Sequence, residues 1–249
     1  MEGSVYSPVR AHFLDELRGL AILLMVLHHA AWDLHWLFDV KIPILVHPVT
    51  ELLRTVFSGG FVFISGMVCN TSRSNRKRGA VTLTCALVIT LVTRLALPQM
   101  PVRFGILHLL GICMLLYGWL EKWLKNLPAE WGLLASFLLF ALGWNLPNGS
   151  LGWGGWSLGL PQWWYGFGLG YVFGLPQPGF ASSDYFPLVP WAFLFLAGSF
   201  AGRPVFAMRS PGWLFQSRVP LLARVGRHTL WIYLLHQPLL MVTMMLVFG

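Results

Sequence analysis

Charged residues are scarce in this chain, and acidic residues are the scarcest. Asp, Glu, Lys and Arg make up 10% of the 249 residues, and only nine residues are acidic. In contrast, 56% of the residues are hydrophobic, and the mean hydropathy is +0.66. No segment is polar enough to form a separate soluble domain. The composition therefore predicts an all-α, polytopic transmembrane helical bundle that forms a single domain over residues 1–249.

Several kinds of site are absent from the sequence. The chain has only three cysteines, each inside an apolar stretch and without paired spacing: Cys69, Cys85 and Cys113. We expect buried structural thiols at these positions. His-Glu-x-x-His, Cys-x-x-Cys and two-His-plus-carboxylate spacings are absent, and so are glycine-rich nucleotide loops. We therefore expect no metal site, although a haem held by His29 or His108 together with His236 stays open as an alternative.

Seven apolar stretches have the character of membrane-spanning helices. They cover residues 13–38, 48–71, 80–97, 104–120, 131–146, 187–202 and 228–248. An additional apolar stretch, 163–175, is short and rich in glycine. We interpret it as a re-entrant or interfacial segment, so the prediction is about seven spans plus this one short segment.

The basic residues predict the orientation of these spans. They cluster after the second span, after the fourth span and between the last two: Arg73, Arg76, Lys77, Arg78, Lys122, Lys125, Arg203, Arg209, Arg218, Arg224 and Arg227. With seven spans, these loops and the N-terminus share one side, which the positive-inside rule makes cytoplasmic. The net charge of +8 thus indicates contact with anionic lipid headgroups and not with nucleic acid. We expect the C-terminus outside.

The first span carries three ionisable residues that share one helix face. At 100° per residue, His29 lies within about 20° of Arg18, and Asp33 lies about 40° further round. Such groups are costly inside a bilayer and usually mark chemistry, ligand binding or a polar path. Asp33 is four residues from His29 and can fix its tautomer, which would make His29 a general base for acyl transfer. A histidine that only pairs with Asp33 for packing is the alternative.

Five other polar residues are candidates for binding a substrate or stabilising an oxyanion. Four are expected in the outer half of the membrane, namely Arg103, His108, Asp184 and His47, and the fifth, His236, lies well inside the last span. For His108 and His236 in particular, a purely structural hydrogen bond between helices explains the sequence about as well.

Five segments, in order along the chain, resemble a known family. They are residues 14–21 (LDELRGLA, leading to His29 and Asp33), 61–66 (FVFISG), 103–111 (RFGILHLLG), 184–191 (DYFPLVPW) and 226–238 (GRHTLWIYLLHQP). They resemble a bacterial membrane family of largely uncharacterised function that is grouped with the catalytic domain of heparan-alpha-glucosaminide N-acetyltransferase. The spacing of Arg18 and His29 is also similar to that of the wider membrane O-acyltransferases.

The resemblance implies roles for individual residues. It makes His29, with Asp33, the candidate catalytic base and places Arg18 on the side where acyl-CoA enters. In the heparan enzyme the essential histidine follows the first span; His47 has a similar but offset position here and ranks below His29.

The implied function is that of an integral-membrane acyltransferase. It would move an acetyl or other acyl group from cytosolic acyl-CoA to a hydroxyl or amine of a sugar or glycolipid at the outer face. The expected location is a bacterial cytoplasmic membrane, and the sequence leaves room for a homo-oligomer. A transporter, or a lipid- or haem-binding protein that uses the same polar cavity, is the alternative.

Overall fold

A computed structural model describes residues 10–208 and 210–248, and most of these residues are helical. Over these residues, seven helices are long and apolar enough to cross a membrane. They are α1 (His12–Trp36), α2 (Pro48–Val68), α3 (Asn75–Ala96), α4 (Ile106–Leu124), α5 (Ala129–Gly143), α6 (Leu188–Met208) and α8 (Thr229–Phe248). The prediction of an all-α, polytopic membrane protein is therefore confirmed, with each span within a few residues of its expected place.

Two elements differ from the sequence-based expectation. Helix α3 begins at Asn75, because the Ser74 hydroxyl accepts a hydrogen bond from the backbone N–H of Lys77 at 3.3 Å. The basic residues at 76–78 thus lie in its first turn and not in a loop. A short helix, α7 (Pro220–Arg227), occupies the basic region before α8 and starts with a proline, which suits a first helical turn. Arg209 of that basic region lies outside the described residues.

The long connection from α5 to α6 contains no spanning helix. Strands β1 (Ser150–Leu151) and β2 (Leu158–Gly159) form a small antiparallel hairpin, with Ser150 opposite Gly159. The stretch 163–175 contains only short 3₁₀ turns, at Gln162–Gly166 and Gly170–Phe173. It is therefore too irregular to count as an eighth helical span.

The described residues group into two compact units. One comprises residues 10–61 with the described part of 205–248, and the other comprises residues 62–204. The single domain expected over residues 1–249 stays a prediction. In the second unit, glycines let helices approach closely: a side chain at Gly66 would overlap the Phe195 carbonyl, and one at Gly198 would overlap the Phe63 carbonyl. Small residues serve the same purpose between other membrane helices.

In the first unit, α1 packs against α7 at backbone distance. A Cβ atom at Gly226 would overlap the carbonyl oxygen of Asp15, and one at Gly19 would overlap that of Leu222. Buried Glu16 reinforces this contact, because its Oε1 accepts from the backbone N–H of Arg218 (2.7 Å) and of Val219 (2.8 Å). The carboxylate thus satisfies donors at the start of α7, where helices favour negative charge.

Helices α1 and α8 also pack together, and they run parallel. Arg18 of α1 is hydrogen-bonded to Thr229 of α8, and further towards both C-termini Asp33 of α1 is hydrogen-bonded to Gln237 of α8. The contacts therefore advance in the same direction along both helices. Two parallel spans must be separated by an odd number of spans. The five helices from α2 to α6 satisfy this condition, whereas a further crossing at 163–175 would make α1 and α8 antiparallel.

The α1–α7 contact predicts a selective effect of glycine replacement. Gly226→Ala places a methyl group against the Asp15 carbonyl, and we expect it to lower the free energy of unfolding by about 2–3 kcal/mol. Unfolding of the purified protein in mixed micelles measures this change. Gly60→Ala is the control, because a Cβ there meets no atom within 4 Å and alanine favours the helix. Equal stability of both variants would contradict the packing argument.

Candidate functional site

Three pairs of polar side chains connect α1 to α8 inside the first unit. Each pairs one residue of α1 with one of α8: Arg18 with Thr229, His29 with His236, and Asp33 with Gln237. We call these six residues the α1–α8 stripe. The three α1 residues share one helix face because of their spacing. Since α8 lies parallel to α1, each of them has a partner on α8. The structure therefore brings His236 to the predicted His29 site.

Arg18 lies at the N-terminal end of the stripe and is largely buried. Its Nη2 donates to the Thr229 hydroxyl at 3.0 Å, and its guanidinium lies 5.6 Å from the centre of the Phe61 ring. Nη1 is 3.8 Å from Asp15, but that carboxylate is much closer to Arg10, at 2.5 Å. Asp15 is thus shared between the two arginines.

His29 and His236 form the centre of the stripe. Their ring centroids are 5.1 Å apart, and both residues are partly exposed. Nδ1 of His236 lies 2.7 Å from the Tyr233 carbonyl oxygen, which can only accept. Nδ1 must therefore carry a proton, so a neutral His236 presents Nε2 as a hydrogen-bond acceptor. The neighbouring His28 stacks on Trp32, with ring centroids 6.2 Å apart, and also lies edge-on to His29, with ring centroids 6.1 Å apart.

Asp33 does not serve as the orienter of His29 in this structure. No hydrogen bond joins the two side chains within the described residues. Asp33 is 5% exposed, and its Oδ2 instead accepts from Nε2 of Gln237 at 2.7 Å. The expected i,i+4 pair is replaced because α8 offers an amide donor at the same level. The catalytic role of His29 itself stays a prediction.

His108 lies in the second unit, where both ring nitrogens are occupied by hydrogen bonds. Nδ1 accepts from the backbone N–H of Gly105 at 3.2 Å, so the proton of the neutral ring is on Nε2. Nε2 in turn lies 3.1 Å from the Thr90 hydroxyl, which donates to the Val102 carbonyl. His108 thus closes the first turn of α4 and ties it to α3, which is the structural alternative that the sequence left open.

Asp184 caps the same helix from a distant part of the chain. Its Oδ2 accepts from the backbone N–H of Ile106 at 2.9 Å, and a side chain at Gly105 would overlap this carboxylate. Phe186 donates to the Phe104 carbonyl at 2.9 Å, which extends the connection. Burial raises the pKa of the intervening Tyr185 above its usual value. The segments 103–111 and 184–191, both part of the family resemblance, are therefore joined.

Arg103 is exposed and lies beside an open cleft of about 200 Å³ in the second unit. Its guanidinium lies 5.3 Å from the centre of the Phe180 ring, and Tyr171 and Gln177 complete much of the wall. A substrate role for Arg103 stays a prediction. His47 is also exposed, and its Nδ1 accepts from the Val49 backbone N–H at the start of α2.

No metal-binding group appears in the part of the chain that the structure describes. Among residues 10–208 and 210–248, no three His, Cys, Asp or Glu side chains come together as a ligand set. His29 and His236 are in direct ring contact, which leaves no space for a macrocycle between them in this arrangement.

Sequence reasoning missed several residues of the site. Thr229 and Gln237 flank His236 in the segment 226–238 and were not selected. The sequence feature that could have identified them is the polarity of positions 229, 236 and 237. Positions 236 and 237 lie seven and eight residues after position 229, so all three share a helix face. Glu16 was also missed, although a glutamate among apolar residues of a span indicates a specific partner.

Comparison with known proteins places most of the chain in one family. The model described as "Heparan-alpha-glucosaminide N-acetyltransferase, catalytic" matches residues 10–238. This range includes both halves of the α1–α8 stripe. No curated protein and no solved structure matches the chain.

The Arg18–Thr229 bond predicts a measurable loss of stability. Thr229→Val removes the hydroxyl that accepts from Arg18 while keeping the side-chain volume, and we expect unfolding to become easier by about 1–2 kcal/mol. Thr243→Val on the same helix is the matched control, since Thr243 is exposed and its hydroxyl donates to the Leu239 carbonyl within the same helix. Chemical unfolding of both variants in the same micelles provides the test. A loss of equal size in the two would show that the Arg18 bond contributes nothing.

Proposed function

This chain belongs to the heparan-alpha-glucosaminide N-acetyltransferase catalytic family, and from that membership we propose that it is an acyl-CoA-dependent membrane acyltransferase. The donor is cytosolic acetyl-CoA or another acyl-CoA. The acceptor is a hydroxyl or amine of a sugar or glycolipid at the outer face of the membrane. The family relationship supports acyl transfer in general, and the α1–α8 stripe supports the assignment of residues.

The contact between His29 and His236 is the observation that carries the proposal. Two partly exposed imidazoles lie in ring contact within helices that are otherwise apolar enough to span a bilayer. Ionisable groups at such a depth are seldom retained without a function. An imidazole is also the side chain best suited to move a proton near neutral pH.

In the proposed reaction His29 acts as the general base. It removes the proton from the acceptor hydroxyl or amine, whose oxygen or nitrogen attacks the thioester carbonyl carbon. The carbon–sulfur bond then breaks, and the sulfur takes the proton from the His29 imidazolium to leave as free CoA thiol. The carbonyl of Tyr233 fixes the proton of His236 on Nδ1, so a neutral His236 presents Nε2 as a hydrogen-bond acceptor beside His29.

Arg18 is proposed as the residue on the donor side. It is a largely buried cation that lies roughly 16 Å from His29 along α1. A cation at that distance suits the phosphates of a CoA molecule whose thioester reaches His29. Arg103, beside its open cleft, stays a candidate for binding the acceptor. A role in substrate binding stays a prediction for His108, Asp184 and His47, whose side chains also form the structural hydrogen bonds described above.

We also propose the orientation of the chain in the membrane. The N-terminus and the basic residues of α7 face the cytoplasm, and the C-terminus lies outside, in a bacterial cytoplasmic membrane. Arg224 and Arg227 are exposed in α7, where they can contact anionic headgroups. Association of several copies is compatible with this orientation.

The first test of function compares adjacent histidines. In lipid nanodiscs, we expect the wild type to bind acetyl-CoA and to release thiol when methyl α-glucosaminide is added as the acceptor probe. His29→Ala should lose two to four orders of magnitude in transfer rate, because the base is removed. His28→Ala is the adjacent control and should lose far less, since the His28 ring contacts His29 and Trp32 but forms no ring contact or hydrogen bond with α8 among the described residues.

The outcomes separate the two functional hypotheses. If folded His29→Ala transfers the acyl group at the full rate, His29 is not the catalytic base. If the wild type neither binds acetyl-CoA nor releases thiol, the hypothesis of a carrier replaces that of an enzyme.

The proposed orientation predicts which positions are accessible to a membrane-impermeant maleimide. A cysteine introduced by Trp156→Cys should react from outside, because residue 156 is 93% exposed in the α5–α6 connection. Arg224→Cys should react only after permeabilisation. The unmodified chain, whose native cysteines are buried or partly buried, provides the blank. Labelling of Arg224→Cys in sealed, right-side-out vesicles would show that the chain has the opposite orientation.

A further inference from the structure

The bond between Asp33 and Gln237 determines which way the Gln237 amide faces. Nε2 of Gln237 donates to Oδ2 of Asp33 at 2.7 Å. A carboxylate accepts hydrogen bonds and offers none in return, so it selects the NH₂ end of the amide. The carbonyl oxygen, Oε1, is consequently directed away from Asp33. A neutral amide partner at position 33 would not impose this choice.

The Gln237 oxygen is buried without a hydrogen-bond donor. Oε1 accepts no hydrogen bond from any residue that the structure describes, and it has no significant contact with solvent. Most buried polar atoms in proteins have a partner, and leaving one unpaired is costly in a low-dielectric interior. An oriented acceptor in this state is suited to a ligand that brings its own N–H or O–H group.

The position of this oxygen connects it with the proposed reaction. Gln237 directly follows His236, whose ring contacts His29. Pro238 comes next and has no backbone N–H, so the Leu234 carbonyl lacks its usual partner within α8. The helix is therefore weakened beside Gln237. The residue as a whole is partly exposed, so part of its side chain is accessible to a bound molecule.

We propose that Gln237 is a substrate-binding residue whose Oε1 accepts a hydrogen bond from an N–H or O–H group of the substrate. Asp33 is then the positioning residue for Gln237 and not for His29. The inference rests on the proposed acyl-transfer function. Two sources offer the required chemistry: an amide N–H of the pantetheine arm of acyl-CoA, and a hydroxyl or amine of the acceptor.

Three variants test this arrangement. Gln237→Met keeps the length of the side chain and removes the acceptor, which should weaken substrate binding about tenfold. Asp33→Asn keeps the shape but no longer selects the NH₂ end of Gln237, so it should cause a similar loss. The double variant Asp33→Asn with Gln237→Glu exchanges the two groups. The amide at position 33 then donates to one carboxylate oxygen and leaves the other for the substrate, at unchanged total charge.

The readouts distinguish the two sources and a purely structural role. Titration with acetyl-CoA alone gives Kd, and thiol release with methyl α-glucosaminide gives kcat and KM for the acceptor; Thr243→Val is the control. We expect the single variants to raise either the Kd of acetyl-CoA or the KM of the acceptor, with kcat changed less, and the exchanged pair to return within about twofold of the wild type. The affected constant identifies the source.

Two results count against the inference, and a third concerns a different claim. If Gln237→Met lowers only the melting temperature and leaves Kd and KM unchanged, Oε1 serves the fold and the inference is wrong. It is also wrong if the exchanged pair recovers stability but not affinity. A wild type that neither binds acetyl-CoA nor releases thiol overturns the proposed function instead, so the two failures are distinguishable.

Discussion

The backbone contact between α1 and α7 is the constraint on which the candidate site depends. Gly19 and Gly226 let the two helices meet without side chains between them, and Glu16 binds two backbone N–H groups immediately before α7. Since only one residue separates α7 from α8, this contact determines which residues of α8 lie beside which residues of α1. A shift of one residue would turn the polar face of α8 by about 100° and separate its side chains from those of α1.

The α1–α8 stripe shows how a membrane helix can retain ionisable groups. Arg18 and Asp33 each find a neutral hydrogen-bond partner on α8, and His29 finds an aromatic one. Such pairing reduces the cost of polarity in the bilayer without cancelling the charges. A cationic side chain and an oriented amide oxygen are groups to which a polar substrate can bind in an apolar environment. Structure and proposed chemistry therefore rest on the same six residues.

Part of this arrangement could be predicted from sequence. The seven spans follow from length and hydropathy, and the shared face of Arg18, His29 and Asp33 follows from helical spacing. The partner of Asp33 could not be derived in this way, because spacing within one helix favours His29 while Gln237 is 204 residues away. His108 was a candidate for substrate binding because of its residue type. In the structure it is hydrogen-bonded to Gly105 across a helix turn and to Thr90 on another helix, and the sequence pattern of a single helix reveals neither contact.

The sequence by itself determined the membrane character, the number of spans, the family motifs and the position of the ionisable residues on α1. These are local or compositional properties, since bilayer thickness and helical periodicity act on each segment separately. Only the tertiary structure decided that α8 runs parallel to α1, that His236 meets His29 and that Asp33 orients Gln237. These pairings depend on the backbone contact at Gly19 and Gly226, whose effect on distant side chains is expressed only when the helices pack.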